Sequence, residues 1–165
     1  MLLIKIFLNE LEQEAVSTRK MLAIVPNDKY DWRPHPKSMT IRALATHIAE
    51  IPGWISSVIL NDGVDFTKTP YNPKVINNTK ELQAFFEESV AKAKEQLVEK
   101  NESKLENRWV MKNGDVVLMD LSKAEAIRHS LSQLIHHRAQ LGVFLRLLDI
   151  PIPGMYGPSA DEMGK

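Results

Sequence analysis

The chain of 165 residues contains no cysteine. Disulfides, thiolate-bound metals and cysteine nucleophiles are therefore excluded, and any thiol chemistry needs a thiol supplied from outside. Net charge is also lacking, since 21 basic residues balance 21 acidic ones. A neutral chain without clustered Lys and Arg has no field for phosphate-dominated binding, so a nucleic-acid partner is not expected. No uninterrupted apolar run approaches the roughly 20 residues that span a bilayer, and no membrane association is expected. The apolar start from Met1 to Leu8 is broken by Lys5 and followed by Asn9-Glu10-Leu11-Glu12. It has no basic leader and no small-residue cleavage site, so it does not read as a secretory signal, and a cytoplasmic protein is expected. Internal repeats and low-complexity tracts are absent too.

What is present is ordinary for one globular domain over 1–165, with 44% apolar and 25% charged residues. Apolar residues recur at helical spacing through Ile4, Phe7, Leu8, Leu11, Ala15, Leu22 and Val25, and Pro26-Asn27 closes that stripe. The loop Asp31–Pro36 follows, its prolines forbidding a helix. A second helix, capped by Ser38 or Thr40, carries Ile41, Leu44, Ala45, Ile48, Ile51 and Ile55. Pro52-Gly53 is expected to kink or split it. The stretch from Asn61 to Asn78 reads as an ordered connection. Asn78-Thr79-Lys80-Glu81 has capping-box spacing before a third stripe of Leu82, Phe85, Phe86, Val90, Ala93 and Leu97. Asn113-Gly114 between apolar runs predicts a β-hairpin. Ser122-Lys123-Ala124-Glu125 is a full capping box for a fourth helix that runs to about Leu148, where Pro151 and Pro153 stop it. The expectation is an all-α four-helix bundle with a small hairpin before its last helix.

Three of the five histidines, His129, His136 and His137, fall within nine positions of that last helix. Its stripe is Ile127, Leu131, Leu134, Leu141, Leu145 and Leu148, with Arg138 inside the same arc. A buried Arg needs a carboxylate or several carbonyls, so Arg138 reads as a structural tether. His137 lies roughly 80° from the centre of the arc, at its edge, while His136 and His129 point away. His47 sits roughly 90° off the centre of the second helix's stripe. Facing helices build metal sites from residues at such edges, and Gln133, one turn before His137, offers an amide oxygen. The competing reading is a hydrogen-bonded structural His47 and a solvated surface at His136-His137. Trp32, Trp54 and Trp109 read as core or rim packing, with Trp54 a candidate pocket wall. Val143, Phe144 and Leu147 suit burial in the bundle centre or in a dimer contact.

The chain resembles the DinB/YfiT-like superfamily of small metalloenzymes. The resemblance lies in Leu44-Ala45-Thr46-His47-Ile48, in His136-His137-Arg138-Ala139-Gln140-Leu141 with Leu145-Arg146-Leu147-Leu148, in Asp31-Trp32-Arg33-Pro34, and in the tail from Pro151 to Glu162. It covers nearly the whole chain. It implies a four-helix bundle, often a homodimer, that binds a divalent transition metal such as Zn, Ni or Mn through three histidines. His47 matches the first of these and His137 the third. The second falls on Gln133, so the implied metal set is His47, Gln133 and His137, and it is weaker than three imidazoles. Glu50 is given little weight as a base. The resemblance implies a small-molecule substrate and transfer of an external low-molecular-weight thiol, or hydrolysis. The alternative is a non-catalytic, stress-associated dimeric binding or scaffold protein with an impaired metal site.

Overall fold

The computed structural model describes residues 2–164. Four long helices dominate it: α1 (Leu3–Ala23), α2 (Ile41–Leu60), α3 (Thr79–Gln96) and α4 (Lys123–Arg146). Three of the four helices start where the sequence supplies a side-chain cap, whereas α1 follows Leu2 with no local cap, and Glu102 accepts from its Leu3 and Ile4 N–H groups at 2.9 Å. Thr40 accepts from the Ala43 N–H at 3.1 Å at the start of α2. Asn78 accepts from the Glu81 N–H at 2.9 Å at the start of α3, while Glu81 reaches back to the Asn77 N–H. At α4 the box is reciprocal: Ser122 Oγ accepts from the Glu125 N–H, and Glu125 accepts from the Ser122 N–H at 2.7 Å.

The stripes meet as the periodicity requires. Ile41, Leu44, Ala45, Ile48, Ile51 and Ile55 of α2 are all buried, and α2 is the central helix that α3 and α4 pack against. Two apolar clusters result. One, around Leu22, Leu44, Ile48, Phe86, Leu134 and Leu141, fills the end of the bundle near the Asp31–Pro36 loop. The other, around Leu11, Ile55, Ile59, Ala93, Trp109, Ile127 and Leu131, fills the end under the sheet. Among the described residues α2 is the one helix with the length and apolarity of a membrane span, at a mean hydropathy of 1.3, but 61% of that window is buried inside the bundle.

Three features depart from the sequence reading. Helix α2 is not split in two at Pro52-Gly53 but is a single helix across them. Burial of Ile48, Ile51, Pro52 and Ile55 against the neighbouring helices holds it together despite the missing proline N–H. The hairpin, β2 (Arg108–Asn113) and β3 (Val116–Ser122), gains a third strand, β1 (Gly63–Asp65), which pairs in parallel with Val110–Lys112. Gly63 fits here because its φ is +154° and a Cβ would meet the Val110 carbonyl oxygen at 2.1 Å. Finally, Asn113 pairs with Val116, so the two turn residues are Gly114 and Asp115, with only Gly114 at positive φ. That is the pattern of a type II′ turn, shifted one residue from Asn-Gly.

The sheet lies over the second cluster through Trp109, Met111 and Leu121. Lys123, 3% exposed, donates to the Ile59 carbonyl at 3.1 Å and pairs with Asp62 at 2.9 Å, tying the start of α4 to the end of α2. Across the bundle, Arg138 is buried as its place in the stripe predicts, and Glu14 supplies the carboxylate at 2.6 Å. Its Nη1 also donates to the Glu14 carbonyl and Thr18 Oγ1, and its Nη2 to the Tyr156 hydroxyl at 2.8 Å. Tyr156 comes from the tail after α4 and donates in turn to the Glu14 carboxylate at 2.9 Å. Val143 and Leu147, both 59% exposed, lie outside the bundle centre. Phe144 instead packs edge-on against Trp32 at 6.0 Å.

Candidate functional site

His47 occupies the middle of α2 and His137 the second half of α4. Each sits at the margin of a buried stripe, so each ring lies where the two helices meet, neither sealed in the core nor free in solvent. The rings are in contact, with centroids 4.7 Å apart and planes at 77°. The convergence expected from the helical wheels is present.

The hydrogen bonds around the rings fix their orientation. His47 Nδ1 is 2.8 Å from Glu50 Oε1, and both side chains are largely covered, at 17% and 12% exposure. A carboxylate only accepts, so His47 donates from Nδ1. Tyr71, from the connection between β1 and α3, donates its hydroxyl to the same Glu50 oxygen. Burial first, and then the Glu50 carboxylate, raise the Tyr71 phenol well above its ordinary value, which keeps it a donor. His137 Nδ1 lies 2.9 Å from Gln140 Oε1, an amide oxygen, so this ring also donates from Nδ1. In their neutral forms both imidazoles therefore present an unprotonated Nε2. His137 is held below the ordinary imidazole value, mainly by burial and further by the neighbouring His47 and His136, with Gln140 opposing. Neutral imidazole with a bare nitrogen is the ligating and proton-accepting form.

Other rings wall the pair. Trp54 meets the His47 ring edge-on at 5.1 Å, and Tyr71 does so at 6.5 Å. Trp54 is thus a wall of the site as well as a packing residue. His136 is exposed on the outer face of α4, as its wheel position requires, with its ring edge against His137 at 4.9 Å. His35 lies in the proline loop and accepts from the Lys37 N–H.

Gln133 is one turn before His137 on the same helix, but it is engaged elsewhere. Its amide N–H donates to His129 Nε2 at 3.3 Å. Among the described residues no three His, Asp or Glu side chains come together as a ligand set. The donors present fit a divalent transition metal as a pair: two imidazoles, each with a bare Nε2 and each oriented through Nδ1 by a carboxylate or amide oxygen. A third protein donor would have to be the Gln133 amide oxygen, a harder and weaker ligand than imidazole.

Sequence reasoning reached the two histidines but undervalued their supports. Glu50 and Gln140 each follow a histidine by three residues, a spacing that puts them on its face and could have pointed to them. Tyr71 sits in an aperiodic, proline-flanked segment and gave no signal. Two clefts lie elsewhere. One of about 310 Å³, apolar, lies between α1, α4 and the tail and is lined by Met21, Gly142, Val143, Leu147, Ile152 and Met155. One of about 400 Å³ is lined by Asp62, Asn107, Arg108 and Val110. Neither His47 nor His137 lines either cleft.

Comparison with known proteins agrees with this architecture. The family model of the DinB family matches residues 3–164. The uncharacterized protein YrdA of Bacillus subtilis is 21% identical over 159 residues, which cover 96% of this chain and 91% of YrdA. A DinB-like protein from Bacillus cereus superposes with a TM-score of 0.68 at 21% identity, over 91% of this chain and 95% of that one. A DinB-like protein of Bacillus subtilis, YjoA, gives a TM-score of 0.68 at 18% identity, over 90% and 96%.

Proposed function

We propose, from the premise that the chain belongs to the DinB family, that it is a metal-dependent enzyme acting on a small molecule, with His47 and His137 as the principal ligands. The observation that carries this reading is the pair of touching imidazoles, both with Nδ1 engaged and Nε2 bare. Oriented imidazoles backed by a carboxylate and an amide oxygen are how proteins prepare histidine for a metal. Gln133 is the third protein donor in this reading, through its amide oxygen, and solvent or substrate takes the remaining positions.

When bound, a divalent transition metal such as Zn, Ni or Mn supplies acidity to a coordinated thiol or water, making a nucleophile at neutral pH. The chain's own residues do the rest. Glu50 and Gln140 hold the two rings in one tautomer. Trp54 and Tyr71 flank the His47 ring and limit water there. Since the chain has no cysteine, a reacting thiol comes from a low-molecular-weight carrier. A cytoplasmic setting, where such carriers are reduced, suits thiol S-transfer, with hydrolysis as the other reaction of the same site.

Metal analysis of protein purified without a histidine tag tests the proposal. Near-stoichiometric Zn, Ni or Mn is expected, lost in His47→Ala and in His137→Ala and kept in His136→Ala. Metal-free wild-type protein that also takes up none of the three ions refutes it. Conjugation of small thiols to electrophilic test substrates then separates transfer from hydrolysis.

A second reading rests on one specific observation, the Gln133 amide turned to His129 where the resemblance places a histidine. On that reading the site is impaired and the protein is a dimeric binding or scaffold protein. A stable dimer without metal or turnover would favour it.

A further inference from the structure

Glu50 reaches His47 from three residues along the same helix. Such a contact is weak when water can compete for the carboxylate, because a long side chain gives up rotamer freedom to hold one geometry. Here water is largely kept out, since the Glu50 side chain is 12% exposed. The group that covers it comes from outside the helix. Tyr71 sets its hydroxyl on Oε1, the same oxygen that faces His47 Nδ1, and lies 3.4 Å from Nδ1 itself. Tyr71 as a whole is 54% exposed, so core packing does not account for where it sits. An exposed tyrosine whose hydroxyl turns inward to a carboxylate is making a directed contact. Among the described residues no Lys or Arg forms an ion pair with Glu50.

We propose that Tyr71 is a positioning residue that acts through Glu50 to hold His47 with its proton on Nδ1 and its Nε2 bare. A histidine side chain in water favours the opposite tautomer, so the arrangement needs a fixed acceptor at Nδ1. Glu50 is that acceptor while Tyr71 holds it. Without Tyr71 the carboxylate turns to solvent, and the His47 proton moves to Nε2. The connection between β1 and α3, which carries Tyr71, thereby governs whether His47 can bind a cation or accept a proton. The proposal rests on the two-imidazole reading of this site for its functional meaning. Its test uses metal-free protein, so the two stand or fall separately.

The test is nitrogen–proton correlation NMR of the histidine rings in the full, metal-free chain at about pH 8, above the ordinary imidazole range. His47 is expected to show a pyrrole-type Nδ1 and a pyridine-type Nε2. In Tyr71→Phe the tautomer ratio of His47 should shift toward Nε2–H about fivefold, the effect of one net hydrogen bond. His137, held by Gln140, should not change and serves as the internal control. Glu50→Gln, which removes the charge and keeps an acceptor oxygen, should shift His47 in the same direction. An Nε2–H tautomer in the wild type overturns the proposal, as does an unchanged ratio in Tyr71→Phe. A shift in Tyr71→Phe without one in Glu50→Gln would mean that Tyr71 acts on the ring directly, which also overturns it. Wild-type protein that takes up none of Zn, Ni and Mn sinks the metal reading and leaves the tautomer result to be judged alone.

Discussion

Replacing Arg138 by methionine should be among the most damaging single changes in this protein. The Arg138 side chain is 2% exposed and that of Glu14 9%, with 2.6 Å between them. Methionine fills most of the space but leaves the Glu14 carboxylate inside the bundle with the Tyr156 hydroxyl as its donor. Removing one partner of a buried ion pair costs about 3–5 kcal/mol. At about 2–4 °C per kcal/mol for a chain of this size, Tm should fall by roughly 6–20 °C. Glu14→Leu alone should cost a similar amount, because the guanidinium then has only the Glu14 carbonyl, Thr18 and Tyr156 left. The double variant Glu14→Leu/Arg138→Met buries neither charge, and its cost should come back to within about 2 kcal/mol of wild type. Tyr156→Phe, which removes a hydroxyl serving both partners, should cost about 1–2 kcal/mol. Urea unfolding of the four proteins, checked by calorimetry, measures the cycle. A double variant as unstable as the sum of its singles would refute the reasoning, since independent sites add and a shared charge pair does not.

Two further outcomes are expected. Gln133→His should tighten zinc at least about tenfold by completing three imidazoles, read by competition with a chelating dye, and unchanged affinity would place Gln133 outside the site. Asp65, which accepts from Thr67 and the Gly114 N–H, has its carboxyl lowered to about 2, chiefly by the Thr67 hydroxyl. Its folded value lies below its unfolded one, so its stabilising contribution is complete above about pH 4 and is lost as the pH falls toward about 2. Carbon NMR titration of that carboxyl checks this, and a midpoint near 4 would contradict it.

Helix stripes and caps were the legible part of this fold, because they depend on neighbours within one turn. Thr40, Asn78 and Ser122 each cap the helix their spacing announces. Arg138 in an apolar arc announced a buried carboxylate, though the sequence could not say that Glu14 supplies it from α1. The facing of His47 and His137 was legible for the same reason, since two stripe edges on adjacent helices have few places to go. The illegible parts depend on distant segments. Strand β1 is three residues without alternation, and its partner lies beyond a whole helix. The continuity of α2 through Pro52 depends on burial against α3 and α4. Tyr71 and Tyr156 come from irregular segments whose paths no local pattern sets.

That short parallel strand has a kinetic meaning. The antiparallel pair next to it joins residues close in sequence and can form as soon as its turn does, whereas β1 must wait for everything between it and its partner to be packed, since parallel pairing needs a long crossover. Gly63–Asp65 should therefore zip up after the rate-limiting step. Weakening it would hasten unfolding while leaving refolding nearly untouched, so that this strand governs how long the native state lasts and not how quickly it is reached.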